Sequence, residues 1–290
     1  MKQNKDFSEL AKEARDKRIE VFKDTKEFYS SNKELQKHIE NSEKMTEVFP
    51  AGFFKKKIQM PIGTEKSTVE VCRMSSGDAV YKYCEDPEKT AVLNFASATN
   101  PGGGVIAGSK AQEETLCRQS TLYKSLTLSA CYKKYYNKNR RELFVRGNTF
   151  YNSGIIWTPD IVFFKNDNGE LLEQDKWKSV NVITAAAPNL RFIKDPEERI
   201  RIVESTMEER ILSVIRLAKL KGITTLILGA WGCGAFCNPP EVIAKLFKKV
   251  IDAERFETPM KIIFPIPALS PTDERKATLF KTVLVREDNK

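Results

Sequence analysis

The sequence predicts an α/β protein in which helices cover both faces of a mixed, mainly parallel sheet, with a helical extension at the N-terminus. Two observations predict this class. Segments with strand-like and helix-like periodicity alternate between Thr68 and Phe264, whereas residues 6–45 show helical periodicity alone. Strands that alternate with helices form sheets covered on both faces, and their apolar runs suit burial on both sides.

The first 65 residues are predicted to form a helical extension and a connector. Apolar residues recur at three- and four-residue steps from Phe7 to Leu35, with Lys and Glu between them. We expect two helices that form an accessory layer, because such a segment cannot bury its apolar stripe alone. Prolines, glycines and Lys55-Lys56-Lys57 between Pro50 and Gly63 indicate a connector. The main domain is therefore placed at residues 66–290.

The main domain alternates strand, loop and helix. Strands are predicted at Thr68–Cys72, Ala91–Ala96, Ile155–Trp157, Ile161–Phe164, Val180–Ala185, Ile223–Leu228 and Lys261–Phe264. Helices are predicted at Gln112–Leu128, Pro196–Leu220 and Pro239–Phe256. Lys221-Gly222 is a helix stop signal after the second of these helices.

Composition excludes several classes of protein. The single histidine, His38, lies in a Lys- and Glu-rich stretch, which argues against a Ser-His-Asp triad and a His-ligated zinc site. Cys233 and Cys237 are spaced C-x3-C without a second pair, so we expect no metal and no cofactor. The six cysteines are scattered, no apolar run reaches the roughly 18 residues of a membrane span, and no signal peptide is evident. We therefore expect a cytoplasmic protein with no membrane segment.

The formal net charge of +9 leaves two interpretations open. It suits a polyanionic partner, and it equally fits a solvated surface that is simply basic. The segment Tyr132–Arg141 has the same ambiguity, because it mixes aromatic and basic residues as single-strand binders do, or as an exposed helix face does. Likewise, Ser75–Asp78 is predicted either to contact a base or to form a turn with a helix cap.

A glycine-rich loop follows the predicted strand at Ala91–Ala96. It contains Asn100 and, after one proline, three consecutive glycines: Gly102, Gly103 and Gly104. Consecutive glycines are poor in helices and strands because glycine loses the most backbone entropy on folding. They suit a place where backbone approaches a ligand without a Cβ in the way. Ligands of open α/β sheets bind at loops that follow strands, so we expect this loop to line a pocket.

Two glutamates begin the helix that follows this loop. Ser109, three residues before Gln112, is predicted to form a capping box that starts the helix. Glu113 and Glu114 then fall in the first turn and point back over the glycines. Acidic residues are also favoured there by the helix dipole, for stability alone. The glycines and Asn100 upstream favour the functional interpretation, a carboxylate that faces a glycine-lined pocket.

The second unusual loop, residues 229–240, follows the strand Ile223–Leu228 and reads GAWGCGAFCNPP. It contains Gly232, Cys233, Gly234, Ala235 and Phe236 ahead of the next predicted helix. Asn238 with Pro239 or Pro240 predicts a helix N-cap and first helical residue. Glycine-rich turns before helices present N–H groups to phosphates, whereas the order G-x-x-G-x-G does not match a dinucleotide fingerprint. Phe236 is predicted either to stack on a ribose or base, or to be core.

With these motifs assembled, the chain resembles the bacterial-type poly(ADP-ribose) glycohydrolase family of the macrodomain superfamily. The family signature is three glycines, a short spacer and Gln-Glu-Glu, and here the spacer is 105–111. The resemblance runs from about Val69 to about Phe264. Three further segments support it: Cys117–Tyr123, Ala187–Asn189 and Gly229–Phe236. It implies a macrodomain-like sheet and a looser match for the helical extension.

The resemblance implies a role for each motif near the first loop. Glu114 matches the catalytic acid, which would donate a proton to the leaving hydroxyl and then activate water. Glu113 matches the neighbour that binds hydroxyls of the terminal ribose, and Gln112 completes the signature among the substrate-binding residues. Asn100 and the backbone of Gly102–Gly104 match the loop that faces the ribose.

In the second loop, Gly232–Ala235 match the diphosphate-binding segment and Phe236 the aromatic packed against the ligand. The implied partner is poly(ADP-ribose) or an ADP-ribosylated macromolecule, the implied product is ADP-ribose, and we expect a monomer. A mono-ADP-ribosyl hydrolase is the nearest alternative. A non-catalytic ADP-ribose reader is another, although the intact pair Glu113-Glu114 argues against it. A nucleic-acid-binding protein is supported by charge only.

Overall fold

The structure, a computed structural model, describes residues 7–56, 60 and 62–285. The predicted extension and connector therefore lie partly outside the described residues, at 1–6, 57–59 and 61, as do the last residues of the predicted main domain, 286–290. Within the described ranges, two helices precede a seven-stranded sheet.

The sheet has the order β1-β4-β5-β3-β6-β7-β2. Its strands are β1 (Glu47–Phe49), β2 (Thr68–Cys72), β3 (Thr90–Phe95), β4 (Ile155–Phe163), β5 (Lys178–Ala185), β6 (Thr225–Ile227) and β7 (Lys261–Pro265). Strands β5, β3, β6, β7 and β2 are parallel neighbours, while β4 runs antiparallel to both β5 and β1. The predicted mixed, mainly parallel sheet is confirmed.

The helices of the described residues fall before, between and after these strands. They are α1 (Phe7–Ser31), α2 (Lys33–Met45), α3 (Ser76–Tyr83), α4 (Gln112–Gln119), α5 (Leu122–Leu126), α6 (Ser129–Cys131), α7 (Asn137–Arg146), α8 (Pro196–Leu220), α9 (Pro240–Ala253) and α10 (Pro271–Leu284). A π-helical turn, Tyr132–Tyr136, joins α6 to α7, and short 3-10 turns lie at Phe53–Lys55, Val105–Ala107 and Gln174–Lys176.

Two apolar cores lie on opposite faces of the sheet. One is covered by α8, α9 and α10, and the other by α3, α4 and α5. Successive side chains of a strand point to opposite faces. In β3, Ala91 and Leu93 accordingly lie in the first core and Val92 in the second. The predicted coverage of both faces is confirmed.

The strand β4 corrects one prediction. The sequence predicts two strands, Ile155–Trp157 and Ile161–Phe164, flanking a Pro-Asp turn. The structure instead has one strand whose pairing with β5 shifts register between Thr158 and Ile161. The one extra residue forms a bulge because both halves of the segment pair with the same neighbouring strand.

The bulge also binds the N-terminal extension. Asp160 has a positive φ of 59° at the bulge, and its carboxylate oxygens lie 2.7 Å from His38 Nδ1 and 2.8 Å from Asn41 Nδ2. Both partners belong to α2. The hydrogen bond with Asp160 raises the pKa of His38. The single histidine therefore attaches a helix to the sheet.

The predicted helix Gln112–Leu128 is wrong in its length, because it is broken after Gln119. Ser120 pairs with Phe163 of β4 as an isolated antiparallel bridge, and the Thr121 N–H donates to the Val162 carbonyl at 3.1 Å. The backbone groups that would continue the helix are therefore committed to the sheet.

Several elements have no counterpart among the predicted ones: β1, α3, α7 and α10. Ser75 caps α3 by accepting from the Asp78 N–H at 2.9 Å, so the helix-cap interpretation of that segment is confirmed.

The extension packs on the main domain, with Phe22 in the second core and Leu35 and Ile39 in a small cluster with Phe164. The domain boundary at residue 65 stays a prediction.

Candidate active site

The two glycine-rich loops leave neighbouring strands at the same edge of the sheet. β3 and β6 are adjacent and parallel, so their carboxyl ends lie side by side. A Cβ on Gly229 would lie 2.9 Å from the Phe95 ring and 3.1 Å from the Pro265 carbonyl oxygen. The loops after β3 and β6 therefore start in contact, and the structure brings the two predicted halves of the site together.

Glu113 is buried against the end of β3 and the loop that follows it, with 2% of its surface exposed. Its Oε2 accepts from the Ser97 N–H at 2.6 Å, and its Oε1 accepts from Asn94 Nδ2 at 3.2 Å. Burial and, to a smaller extent, the adjacent Glu114 raise the pKa of Glu113 to about 8, against the opposing effect of these two hydrogen bonds. Glu113 is thus an immobile carboxyl that holds its proton near neutral pH.

Glu114 is held at one oxygen and has no partner at the other. Its Oε1 accepts from the Gly104 N–H at 2.8 Å. Its Oε2 is buried and finds no hydrogen-bond partner among the residues that the structure describes. Buried carboxylate oxygens are normally satisfied, so an exception at a loop edge calls for a functional explanation. The arrangement fixes the carboxyl and leaves one oxygen for a reacting group.

The glycines of the first loop are needed at their positions. Gly102 and Gly103 have φ values of 67° and 59°, which side chains rarely adopt. A Cβ on Gly103 would lie 2.5 Å from Glu114 Oε1 and 3.0 Å from Glu113 Oε2. A Cβ on Gly102 would lie 2.7 Å from the Tyr123 ring. The absent side chains are what allows both carboxyls to lie against the loop.

Gln112 begins α4, but its amide is occupied within the protein. Oε1 accepts from the Phe95 N–H at 2.9 Å, and Nε2 donates to the Leu93 carbonyl at 2.8 Å and to Ser76 Oγ at 3.1 Å. The substrate contact expected of Gln112 is therefore corrected to an anchoring role, because both polar ends of its side chain are used to join α4 to β3.

The capping box predicted at Ser109 is also wrong. The N-cap residue is Ala111, which has no side-chain cap, and the Ser109 N–H donates to the Gly104 carbonyl at 3.1 Å. The helix start is fixed instead by the Gln112 bonds to β3.

Asn100 is exposed beside the glycines, its N–H donates to Ser97 Oγ at 3.1 Å, and its carbonyl accepts from the Gly103 N–H.

Three guanidinium groups hold the segment between the glycines and α4. Arg15 and Arg18 of α1 donate from Nε to the carbonyls of Ala107 and Gly108, at 2.8 and 2.6 Å. Arg118 of α4 donates from Nη1 to the next carbonyl, that of Ser109, at 2.6 Å. These arginines were not among the predicted site residues. Three successive carbonyls are thus bonded by side chains from two helices.

The second loop presents unpaired backbone donors. Within the described residues, the N–H groups of Gly232, Gly234, Ala235 and Phe236 donate to no protein atom, as do those of Gly229 and Ala230 at the start of the loop. Gly234 and Ala235 are exposed, and a Cβ on Gly234 would meet nothing within 4 Å. Clustered N–H groups of this kind form anion sites. The loop therefore provides donors and open space where a phosphate was predicted.

Asn238 holds the second loop together, whereas the Cys233 thiol donates to the Trp231 carbonyl, only two residues away. Burial raises the pKa of the Cys233 thiol to about 12, so it stays protonated at neutral pH. Asn238 was predicted as an N-cap, but Pro239 takes that position, and Asn238 Nδ2 donates to the carbonyls of Pro188 and Gly232 at 2.9 and 3.1 Å. The amide is buried and joins two segments, and its Oδ1, the atom that would cap the helix, accepts no hydrogen bond from the described residues.

Two residues beside the second loop, Tyr151 and Arg191, were not predicted. The ring of Tyr151 lies 6.5 Å, centroid to centroid, from that of Phe236, which is half-buried. Arg191 donates from Nε and Nη2 to the Ala235 carbonyl, both at 3.3 Å. Arg191 follows the segment Ala187–Asn189 that supported the resemblance. That proximity in sequence was the one available signal for it.

No metal-binding cluster of three or more His, Cys, Asp or Glu side chains occurs in the described part of the chain. Nor does any helix within residues 7–56 and 62–285 have the length and apolar character to cross a membrane.

Comparison with known proteins identifies the family. A family model for the microbial-type PARG catalytic domain matches residues 17–166. The poly(ADP-ribose) glycohydrolase from Thermomonospora curvata is 26% identical with a TM-score of 0.74, over 92% of this chain and 98% of its own. The same enzyme bound to the inhibitor ADP-HPD gives 27% identity, a TM-score of 0.74 and coverage of 91% and 98%.

A second organism provides a similar structure. The poly(ADP-ribose) glycohydrolase from Deinococcus radiodurans in complex with ADP-ribose is 31% identical with a TM-score of 0.74, over 85% of this chain and 97% of its own. No curated protein sequence matches the chain. The family match spans more than half of the 290 residues and contains Gly102–Gly104 with Gln112–Glu114. The chain therefore belongs to the microbial-type poly(ADP-ribose) glycohydrolase family, as its two loops and paired glutamates predicted.

Proposed function

We propose that this poly(ADP-ribose) glycohydrolase cleaves the ribose–ribose O-glycosidic bond with Glu114 as general acid and then general base. The observation that carries the proposal is the asymmetric environment of the Glu114 carboxyl. One oxygen is fixed by the Gly104 N–H at 2.8 Å, and the other is buried without a partner. A general acid needs a fixed orientation and one free oxygen within reach of the leaving group.

The chemistry requires two proton transfers, one from Glu114 to the leaving oxygen and one from water to Glu114. As the bond between the anomeric carbon and the leaving oxygen breaks, protonated Glu114 gives its proton to that oxygen, and positive charge develops on the ribose. The resulting carboxylate then takes a proton from the water that attacks the anomeric carbon, which restores the acid. Most glycosidases divide this work between two separated carboxyls.

Glu113 has the companion role of orienting the terminal ribose. Its two oxygens are held by Asn94 and the Ser97 N–H, so it is buried and cannot swing toward the leaving group. A carboxyl fixed in this way supports hydrogen bonding to ribose hydroxyls rather than proton transfer. Asn100, exposed beside Gly102 and Gly103, is proposed to contact the same ribose.

The second loop is proposed to bind the diphosphate of the terminal ADP-ribose. Its unpaired N–H groups at Gly232, Gly234 and Ala235 suit phosphate oxygens, which accept hydrogen bonds and carry charge. Phe236, half-buried beside Tyr151, offers an aromatic surface for the ligand. The guanidinium of Arg191, bonded to the Ala235 carbonyl, adds positive charge next to these donors.

The proposal extends to a monomer in the cytoplasm. Both carboxyls and both loops come from one chain, so the site needs no residue from a second subunit. All six cysteines are free thiols, which supports a reducing compartment.

A substitution and two substrates test this function. Glu114→Gln keeps the size of the side chain and the hydrogen bond from the Gly104 N–H, but its amide cannot donate and then accept a proton as the mechanism requires. It should bind ADP-ribose as the wild type does and release at least about a hundredfold less ADP-ribose per second from poly(ADP-ribose). Thr115→Ser, one residue along the same helix, is a suitable control. It keeps the hydroxyl that bonds to the Ala111 carbonyl and should keep wild-type turnover. Turnover by Glu114→Gln at the wild-type rate would remove Glu114 from the role.

The same release measurement separates the alternative activities. Wild-type enzyme should release ADP-ribose from the polymer faster than from singly modified protein or nucleic acid. Faster release from singly modified acceptors would assign it as a mono-ADP-ribosyl hydrolase. Tight binding of ADP-ribose without release from any substrate would assign it as a reader.

A further inference from the structure

A strongly basic segment lies next to the active site and has no part in the proposed mechanism. The π-helical turn and α7 together span residues 132–146 and carry six cationic side chains and one acidic one. The cations are Lys133, Lys134, Lys138, Arg140, Arg141 and Arg146, and the acid is Glu142. This segment therefore has a net charge of +5, a large share of the +9 of the whole chain.

One face of α7 combines cations with exposed apolar side chains. Lys138, Arg141 and Val145 follow at helical spacing, with Phe144 beside them on the same side of the helix. Phe144 is 76% exposed and Val145 is 72% exposed. We call these four residues the α7 face. Lys138 and Arg141 form no ion pair within the described chain, whereas Arg146 is paired with Glu142.

The opposite side of the same segment anchors it to the protein. Tyr135, Tyr136 and Asn139 are buried, and Asn139 Oδ1 accepts from the Asn152 N–H at 2.9 Å. The buried side accounts for the position and stability of the helix. The α7 face is not needed for that purpose, and its adjacent apolar side chains, Phe144 and Val145, remain largely exposed beside the cations.

The C-terminal end of α7 leads directly to the active site. The chain passes from α7 into the start of β4, which pairs Ile155 with Ala185 at the carboxyl end of β5. On the way, the Thr149 carbonyl accepts from the Asn189 N–H at 3.2 Å, and the Tyr151 ring lies 6.5 Å from that of Phe236. The α7 face is therefore joined to the second loop by one short segment at the same edge of the sheet.

We propose that the α7 face binds the ADP-ribose units of the polymer that adjoin the terminal unit. This inference rests on the proposed function. Each such unit has a diphosphate, which pairs with Lys138 and Arg141, and an adenine, which stacks on Phe144. The surface would favour long polymer over short by adding contacts away from the reacting bond. It would leave the chemical step unchanged.

Substitutions that remove the cations or the aromatic ring of the α7 face test this. Lys138→Ala/Arg141→Ala should raise KM for long poly(ADP-ribose) about tenfold and reduce the dependence of log KM on log salt by about 1.4, for two lost phosphate contacts. kcat should not change, and neither should Kd for free ADP-ribose, which has no adjoining unit to contact the α7 face. Phe144→Ser should raise KM for long polymer by a similar factor with little change in salt dependence.

A control with the same charge change is available on α9. Lys245→Ala/Lys249→Ala removes two exposed lysines that pair with Glu241 and Glu208, and it should leave KM for long polymer at the wild-type value. Equal KM for long polymer in the α7 variants and the wild type would overturn the inference. The inference would also be overturned if the α7 variants kept a wild-type KM for long polymer but lost the ability to bind single-stranded nucleic acid or to self-associate. Failure of the wild type to release ADP-ribose would instead refute the proposed function.

Discussion

Arg18 donates from Nε to the carbonyl oxygen of Gly108 at 2.6 Å, although ninety positions separate the two residues in sequence. A Cβ on Gly108 would lie 2.7 Å from the Arg15 carbonyl oxygen, so the loop and α1 are in close contact. The Gly104 carbonyl accepts from the N–H groups of Ala107 and Ser109, and the Gly104 N–H holds Glu114. The extension therefore supports the loop that positions the proposed acid.

Removing the two arginines of α1 should impair catalysis more than folding. Arg15→Ala/Arg18→Ala loses the bonds to Ala107 and Gly108, and a loop shift of about 1 Å is enough to lower kcat by ten- to a hundredfold. Arg15→Lys/Arg18→Lys keeps one charged donor at each position and should recover part of the loss. The measurement is kcat and KM on poly(ADP-ribose), with thermal unfolding alongside.

A matched control for the arginine variants lies on the same helix. Lys12→Ala/Lys17→Ala changes the charge of α1 equally and removes no hydrogen bond to the loop. It should keep wild-type kcat. If both double variants lose activity equally, then the charge of α1 matters and the bonds to Ala107 and Gly108 do not.

The two glycine loops and the paired glutamates were predictable because their signals are local. Three consecutive glycines, Gln112 and the two acids identify the site without any knowledge of distant contacts. The arginines of α1 were not predictable. Lys and Arg alternate with Glu along that helix, and nothing in the spacing distinguishes Arg15 and Arg18 from their neighbours. Their partners are about ninety residues away in the chain.

The errors in the predicted elements have the same cause. Residues Gln112–Leu128 have helical periodicity throughout, but Ser120 is drawn into a bridge with β4 that no local pattern indicates. Ser109 and Asn238 have the residue types of helix caps, yet each is used elsewhere, Ser109 by the loop and Asn238 by the carbonyls of two neighbouring segments. Tertiary hydrogen bonding overrode local preference in all three places.

Gly103→Ala should abolish activity with a modest loss of stability. Its positive φ costs an alanine about 1–2 kcal/mol, and the added Cβ would lie 2.5 Å from Glu114 Oε1. Gly52→Ala shares the strain, with a φ of 74°, but has open space around the new Cβ. Gly103→Ala should therefore lose more unfolding free energy than Gly52→Ala, and kcat should fall about a hundredfold only in Gly103→Ala. Full activity of Gly103→Ala would contradict the geometry of the acid.

The raised pKa of Glu113 predicts a stability that falls as pH rises. Between its ordinary pKa of 4.5 and the folded value of about 8, the folded state keeps a proton that the unfolded state has lost. Stability then decreases with pH by up to about 1.4 kcal/mol per pH unit within that window, and the loss is complete above it. Below both values the group has no effect.

Glu113→Gln isolates this contribution, because glutamine cannot titrate. The unfolding free energy of the variant relative to the wild type should increase steadily between about pH 5 and about pH 8, measured by urea unfolding at several pH values. A constant difference across that range would show that Glu113 titrates equally in the folded and unfolded states, and its proposed environment would be wrong.

Two neighbouring glycines of the second loop should separate stability from binding. Gly232 has a φ of 77°, and a Cβ there would lie 2.6 Å from Asn238 Nδ2 and 2.7 Å from Ala187 Cβ, so Gly232→Ala should cost about 1–3 kcal/mol of stability. Gly234 lacks the positive φ, and its Cβ would meet no protein atom within 4 Å. Gly234→Ala should therefore unfold like the wild type. Its methyl group would nevertheless occupy the space assigned to the diphosphate, so calorimetric Kd for ADP-ribose should rise about tenfold, or about 1.4 kcal/mol. Wild-type affinity in Gly234→Ala would place the diphosphate away from this loop.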